Sequence, residues 1–248
     1  MRAWRFGIAM VAALAVSPAW AQPQSRPSAT TPYNWTGGYL GTHAGGGWGS
    51  SCWNFTQAGL DHGCGDVSGA FGGAQLGYNW QTGNIVLGAE ISGSLGKITG
   101  SFVPAVSSQG TDRTTVENFY LATARGGYAW DRTLVYAKGG AAFVHYEYKR
   151  TCNGVTSTGV CVPVGATSSQ GAQWRVGWTL GAGVEYALLP NVSLAVEYNY
   201  IGLGSSDANI HGVGGGTCGG GAGQPCSTEF KNDLSIVTAR LNWRFGGP

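Results

Sequence analysis

Charge is scarce in this chain. Asp, Glu, Lys and Arg make up 10% of its 248 residues, where a soluble domain carries about 25%, so a conventionally solvated surface is excluded. The 14 Lys and Arg nearly balance the 12 Asp and Glu, which removes the basic excess that nucleic-acid binding needs. Long apolar runs are missing too. Beyond residues 1–21 nothing approaches the roughly 20 uninterrupted apolar positions of a membrane-spanning helix. The six cysteines contain no CxxC spacing, which leaves metal binding by Cys52, His62, Cys64 and Asp66 without a standard ligand pattern. No metal and no cofactor is expected.

What the chain has instead is alternation. Val192, Leu194, Val196, Tyr198 and Tyr200 share one side of an extended segment, and Ser193, Ala195, Glu197 and Asn199 the other. The same two-residue period returns over 85–91, 174–186 and 237–245. The polar side carries too many glycines and too few charges for a water-facing sheet, and it suits a narrow enclosed lumen. The 44 glycines lie inside the alternating segments, as strands packed closely around a small barrel require.

Eight strands are predicted: 34–48, 68–80, 84–97, 115–130, 133–149, 172–188, 191–203 and 232–245. Tight turns at 81–83, 131–132 and 189–190 alternate with long connections at 49–67, 98–114, 150–171 and 204–231. The fold class is all-β: an eight-stranded antiparallel transmembrane β-barrel with short periplasmic turns and long extracellular loops. Arg2 and Arg5, the apolar run 8–16 and Ala19-Trp20-Ala21 predict a secretory signal peptide over 1–21. Residues 22–33 read as a flexible periplasmic tail and 34–248 as the barrel domain, placed in the bacterial outer membrane.

Aromatic residues, 12% of the chain, fall into two groups. Tyr78, Trp80, Tyr128, Trp130, Tyr186, Trp243 and Phe245 lie beside the short turns; Trp48, Tyr120, Phe143, Tyr146, Trp174, Trp178 and Tyr200 lie toward the long loops. They read as two interfacial girdles. Parity turns Glu90, Arg125, Lys138, Glu185, Glu197 and Arg240 toward the lumen at similar height. Unpaired charges in an enclosed space are costly, so a salt-bridged network that plugs the lumen is expected, with a narrow ion path as the alternative. In the fifth strand Tyr146 and Tyr148 break the outward phase, which calls for a bulge or a rise out of the membrane near Val144. The glycine-rich first strand yields no phase.

Cys52 with Cys64, Cys152 with Cys161 and Cys218 with Cys226 each fall within one connection. Fifteen pairings exist, and an oxidising periplasm with short separations favours this local set, at about 2–3 kcal/mol per bridge. His145, Glu147 and Ser168 or Ser169 could formally compose a hydrolase set, but a polar strand edge is the simpler reading. The glycine-rich stretch 212–223 lacks the ending of a phosphate loop.

Several runs resemble one known family: Asn34-Trp35-Thr36-Gly37-Gly38-Tyr39, Gly77-Tyr78-Asn79-Trp80-Gln81, Ala124-Arg125-Gly126-Gly127-Tyr128-Ala129-Trp130-Asp131-Arg132, and Val184-Glu185-Tyr186 with Val196-Glu197-Tyr198. In that order they are similar to the small outer-membrane β-barrels of alphaproteobacteria, the porin-like or opacity-type surface antigens. The resemblance implies an eight-strand barrel that is structural or surface-interacting, with no catalytic residues to carry over. It implies a role in envelope integrity or surface interaction, and outer-membrane lipid, lipopolysaccharide, the barrel-assembly machinery and an extracellular ligand or host surface as partners. Some members bind hemin, which motivates the alternative of a narrow porin or a hemin or small-ligand binder, with Trp53, Phe55, His62 and His211 as loop contacts. The chain departs from the pattern where Phe245 is followed by Gly246-Gly247-Pro248 instead of ending the strand.

Overall fold

The computed structural model describes residues 33–55, 60–104, 110–154, 164–212 and 225–245, with the backbone alone at 55, 60–62, 206, 208–212 and 225–228. The predicted signal peptide, most of the predicted tail, Cys161 and Cys218 lie outside the described residues.

Eight strands follow in chain order: β1 Gly37–Phe55, β2 Leu60–Thr82, β3 Ile85–Phe102, β4 Gly110–Trp130, β5 Thr133–Cys152, β6 Thr167–Leu189, β7 Val192–Gly212 and β8 Pro225–Phe245. Each pairs antiparallel with its sequence neighbour, and β1 pairs with β8, closing the barrel. Closure gives every strand a partner on both sides, the condition a sheet must meet in lipid. The three tight connections have two residues each. Gly83 and Asp131 take the left-handed conformation there, at φ 60° and 53°, which Gly adopts freely and Asp tolerates.

The strands run well past their predicted upper ends, into most of the stretches expected to be loops. The cause is an inversion of polarity along each strand. In the lower barrel the outer face is apolar, with Leu87, Val135, Val184, Val196 and Leu241 about half exposed, and the inner face, beyond an apolar cluster at the turn end, is polar. Higher up the outer face becomes polar, with Lys149, Arg113 and Lys231 exposed, and the inner face becomes apolar. There Trp53, Val67, Ile98, Val116, Tyr146, Tyr148, Phe230 and Leu234 form a buried core. A strand that leaves the lipid can keep its ladder because it now buries its inner face as a water-soluble barrel does.

This inversion settles β5. β5 itself carries no extra residue near Val144 and stays regular against β6 up to Arg150, so Tyr146 and Tyr148 point inward on an element rising out of the membrane. The irregularity is on the neighbouring β4, where Glu117 drops out of the ladder. Tyr146, expected in the upper girdle, is buried inside the barrel, while Trp48, Tyr120, Phe143, Trp174 and Trp178 are exposed as a girdle requires. The phase of β1 is also visible: Tyr39, Gly41 and His43 face the lumen beside Asn242, Gln75 and Ser94.

Candidate functional site: the lumen charge layer

Four layers fill the interior among the described residues. At the turn end Trp35, Val86, Ala129, Leu134, Tyr136 and Ala187 form an apolar cluster with Tyr33 against it. The segment leading into β1 lies across this end. Arg244 donates to the carbonyls of Asn34 and Thr36 at 2.9 and 3.0 Å, and its guanidinium lies over the rings of Tyr33 and Trp35.

Above this cluster lies the charge layer. Glu90, Arg125, Lys138, Glu185, Glu197 and Arg240 come from β3, β4, β5, β6, β7 and β8, and all are at most 4% exposed. Lys138 Nζ donates to Glu90 Oε1 and Glu197 Oε1, both at 2.9 Å. Arg240 bridges the same two carboxylates from its two terminal nitrogens. Arg125 donates to Glu185 at 3.1 Å. Three carboxylates thus face three cations and the set is neutral, which matters because an unpaired charge at this depth costs several kcal/mol.

Neutral side chains complete the network. Tyr39 donates to Glu90 at 2.7 Å, Tyr136 to Glu197 at 2.8 Å and Asn199 to Glu197 at 2.7 Å. Asn242 donates to Glu185 at 2.8 Å, and the Ser193 hydroxyl donates to the same carboxylate at 2.5 Å. The Arg125 guanidinium carbon lies 4.8 Å from the Tyr39 ring centre and 5.0 Å from that of Tyr136, which joins the Glu185 pair to the other four residues. Arg125 also donates from Nε to Asn79 at 2.9 Å. Parity turned Ser193, Asn199 and Asn242 inward but did not single them out, nor Tyr39, Asn79 or Tyr136, as partners of the charges. They alternate on the inner face like many other residues, and only the closed ring shows that they meet.

A third, uncharged polar layer follows. His43 lies 2.7 Å from Gln75 Oε1 and 2.8 Å from Ser94 Oγ, and Gln75 donates to Asn242 at 2.8 Å, tying this layer to the charges below. A cavity lined by His43, Ser94, Lys138, Asn199 and Arg240 has about 10 Å³ open to water, room for one molecule. The apolar upper core closes over it.

Other predicted contacts fall elsewhere. Trp53 is not on a loop: it is fully buried in β1, donates to Thr114 at 3.1 Å and packs edge-on against Tyr148 and Phe230. The backbones of Phe55, His62 and His211 belong to β1, β2 and β7, and their side chains lie outside the described residues. Cys52 and Cys64 form a disulfide across adjacent strands, not within a loop, and so neither thiol is available to a metal. Cys152 is disulfide-bonded, and the Cys226 side chain is outside the described set. His145 faces outward, 3.9 Å from Glu117 and against the Trp174 ring. Ser168 and Ser169 are buried, the Ser168 hydroxyl on the Arg150 carbonyl, and no hydrolase set forms among them.

Residues 6–245 match the family model described as outer membrane protein beta-barrel domain. The chain is 38% identical over 199 residues to the 31 kDa outer-membrane immunogenic protein of Brucella melitensis, covering 73% of this chain and 78% of that protein. It is 29% identical over 181 residues to the 22 kDa outer membrane protein of Rhizobium leguminosarum bv. viciae, covering 71% and 68%. Among solved structures it shares its fold with the outer membrane protein OprG of Pseudomonas aeruginosa, at TM-score 0.52 and 11% identity, over 88% of this chain and 100% of that one.

Proposed function

Because the chain belongs to the outer membrane protein beta-barrel domain family, we propose that this outer-membrane protein serves as a sealed structural and surface element. It adds a rigid, antigenic surface to the envelope and turns over no substrate. The observation that carries the sealed lumen is the Glu90, Lys138, Glu197 and Arg240 cluster, in which two cations each bridge the same two carboxylates across the lumen. A through-path for ions would have to break charge-assisted bonds in a site with little room for water. The apolar core above and the Trp35 cluster below support the same reading.

Surface presentation rests on the exposed polar outer face above the lipid band and on the likeness to the 31 kDa immunogenic protein. Lipopolysaccharide would surround that face, the barrel-assembly machinery would insert the chain, and a host surface or extracellular ligand would meet the upper rim. Recordings in planar bilayers test the seal: purified protein should give no large, steady conductance steps, and such steps would overturn it. Antibody labelling of intact cells tests presentation, since an epitope reached only after permeabilisation would remove the surface role.

A further inference from the structure

The eight strand pairs are not equally zipped. In seven of them a ladder is interrupted by at most two residues on a strand. β6 and β7 pair upward from Leu189 and Val192 as far as Trp178 and Gly202, and then not again until Gln170 meets His211. Residues 171–177 of β6 and 203–210 of β7 therefore leave their facing backbone groups outside the β6–β7 ladder. Behind the gap the wall is intact: β6 stays paired to β5, and β7 resumes its pairing to β8 from Ser205 upward.

The gap has a local cause and a local filler. Leu203 and Gly204 also leave the β8 ladder, and Gly204 takes φ +61°, which turns β7 away from its neighbour. Into this space β6 sends Arg175, which is almost fully buried. Its Nη2 donates to the carbonyls of Leu203 at 3.1 Å and Gly204 at 3.0 Å, and its Nη1 to that of Phe230 on β8 at 2.9 Å. One side chain thus satisfies three carbonyls on two strands in place of ladder bonds. The β6 side of the gap carries the exposed Val176 and the girdle residue Trp174, with Trp178 of the same girdle at its lower end, so the gap starts at the membrane rim and rises toward the head groups. Behind it lies the aromatic part of the upper core, with Tyr146, Tyr148 and Phe230.

We propose that the β6–β7 seam is a side door in the barrel wall, with Arg175 as its latch. It opens the aromatic core sideways at head-group level, and its opening does not require the charge layer below to break. Barrels remove free strand edges by closure, and this seam leaves a short stretch of β7 outside the β6 ladder, where one guanidinium caps the carbonyls of Leu203 and Gly204.

Hydrogen exchange read by mass spectrometry on the full chain in phospholipid nanodiscs tests this. Peptides covering 171–177 and 203–210 should contain amides that exchange at least ~10-fold faster than those of 46–52 on β1, which pair without interruption to both β2 and β8. Arg175→Lys keeps the charge but cannot reach three carbonyls at once, and should raise exchange over 203–210 by a further ~10-fold while 46–52 is unchanged. Arg175→Gln should do the same where it folds, with heat-modifiable gel mobility as the check on folding. Equal protection of seam and wall in the unmodified protein overturns the proposal. So does an Arg175→Lys variant in which every strand loosens alike or none does.

Discussion

Arg240 holds two carboxylates at once: one terminal nitrogen donates to Glu90 on β3 and the other to Glu197 on β7. This single guanidinium spans the lumen between strands separated by half the ring. Replacing it by Met leaves Lys138 alone against two buried carboxylates. Removing one partner of a buried charge set costs about 3–5 kcal/mol, so Arg240→Met should lower the urea-unfolding free energy in detergent by that amount. Arg240→Met with Glu90→Gln, which removes one charge of each sign, should cost less than Arg240→Met alone.

The polarity inversion sets position-dependent costs. Val196 faces lipid in the lower barrel and is more than half exposed. Val196→Arg should cost about 2–4 kcal/mol in unfolding from liposomes, as a charge near mid-bilayer does. Glu147 lies on the same kind of outward face, but above the rim. Glu147→Leu should stay within about 0.5 kcal/mol of the parent, because it changes a surface position away from any buried contact.

Trp53 should behave as a core residue, not as a ligand contact. It is sealed among Tyr148, Phe230 and Phe102. Trp53→Ala should cost about 3–5 kcal/mol by leaving a cavity, seen as a lower temperature for loss of heat-modifiable migration. Bilayer recordings of this variant should still show no large steps, since the charge layer lies below it.

Gly41 is where the lumen has no room for a side chain. A Cβ there would fall 2.3 Å from the Asn242 amide oxygen and 2.4 Å from the Gln75 amide nitrogen, with the Leu241 carbonyl 2.5 Å away. Gly41→Val must therefore separate Gln75 from Asn242. Overpacking of this kind costs about 1–3 kcal/mol, measurable as a lower unfolding midpoint in urea with β-sheet circular dichroism retained below it.

The Cys52–Cys64 bridge closes a short segment of sequence separation 12. Its loss should cost no more than about 2–3 kcal/mol in chain entropy. Adjacent strands already hold the two residues in register, so the Cys52→Ser, Cys64→Ser double variant should retain the barrel. Its destabilisation should appear as faster proteolysis at the upper ends of β1 and β2, while the membrane-embedded core stays protected.

The sequence by itself determined the number and order of the strands, the places of the tight turns and the all-β class, and a two-residue period readable within one strand fixed the inward side of Glu90, Arg125, Lys138, Glu185, Glu197 and Arg240, though not how far the strands rise. Even the rise of β5 was written in Tyr146 and Tyr148, as a parity break with two explanations. Glycine hid the phase of β1, and with it His43, because a residue without a side chain carries no alternation. Only the tertiary structure decided which inner residues meet. The choice of Tyr39 for Glu90, of Tyr136 for Glu197 and of Arg175 for the carbonyls of Leu203 and Phe230 depends on the stagger at which eight strands close. That stagger is a property of the whole ring, set by all eight ladders together, and no single segment records it.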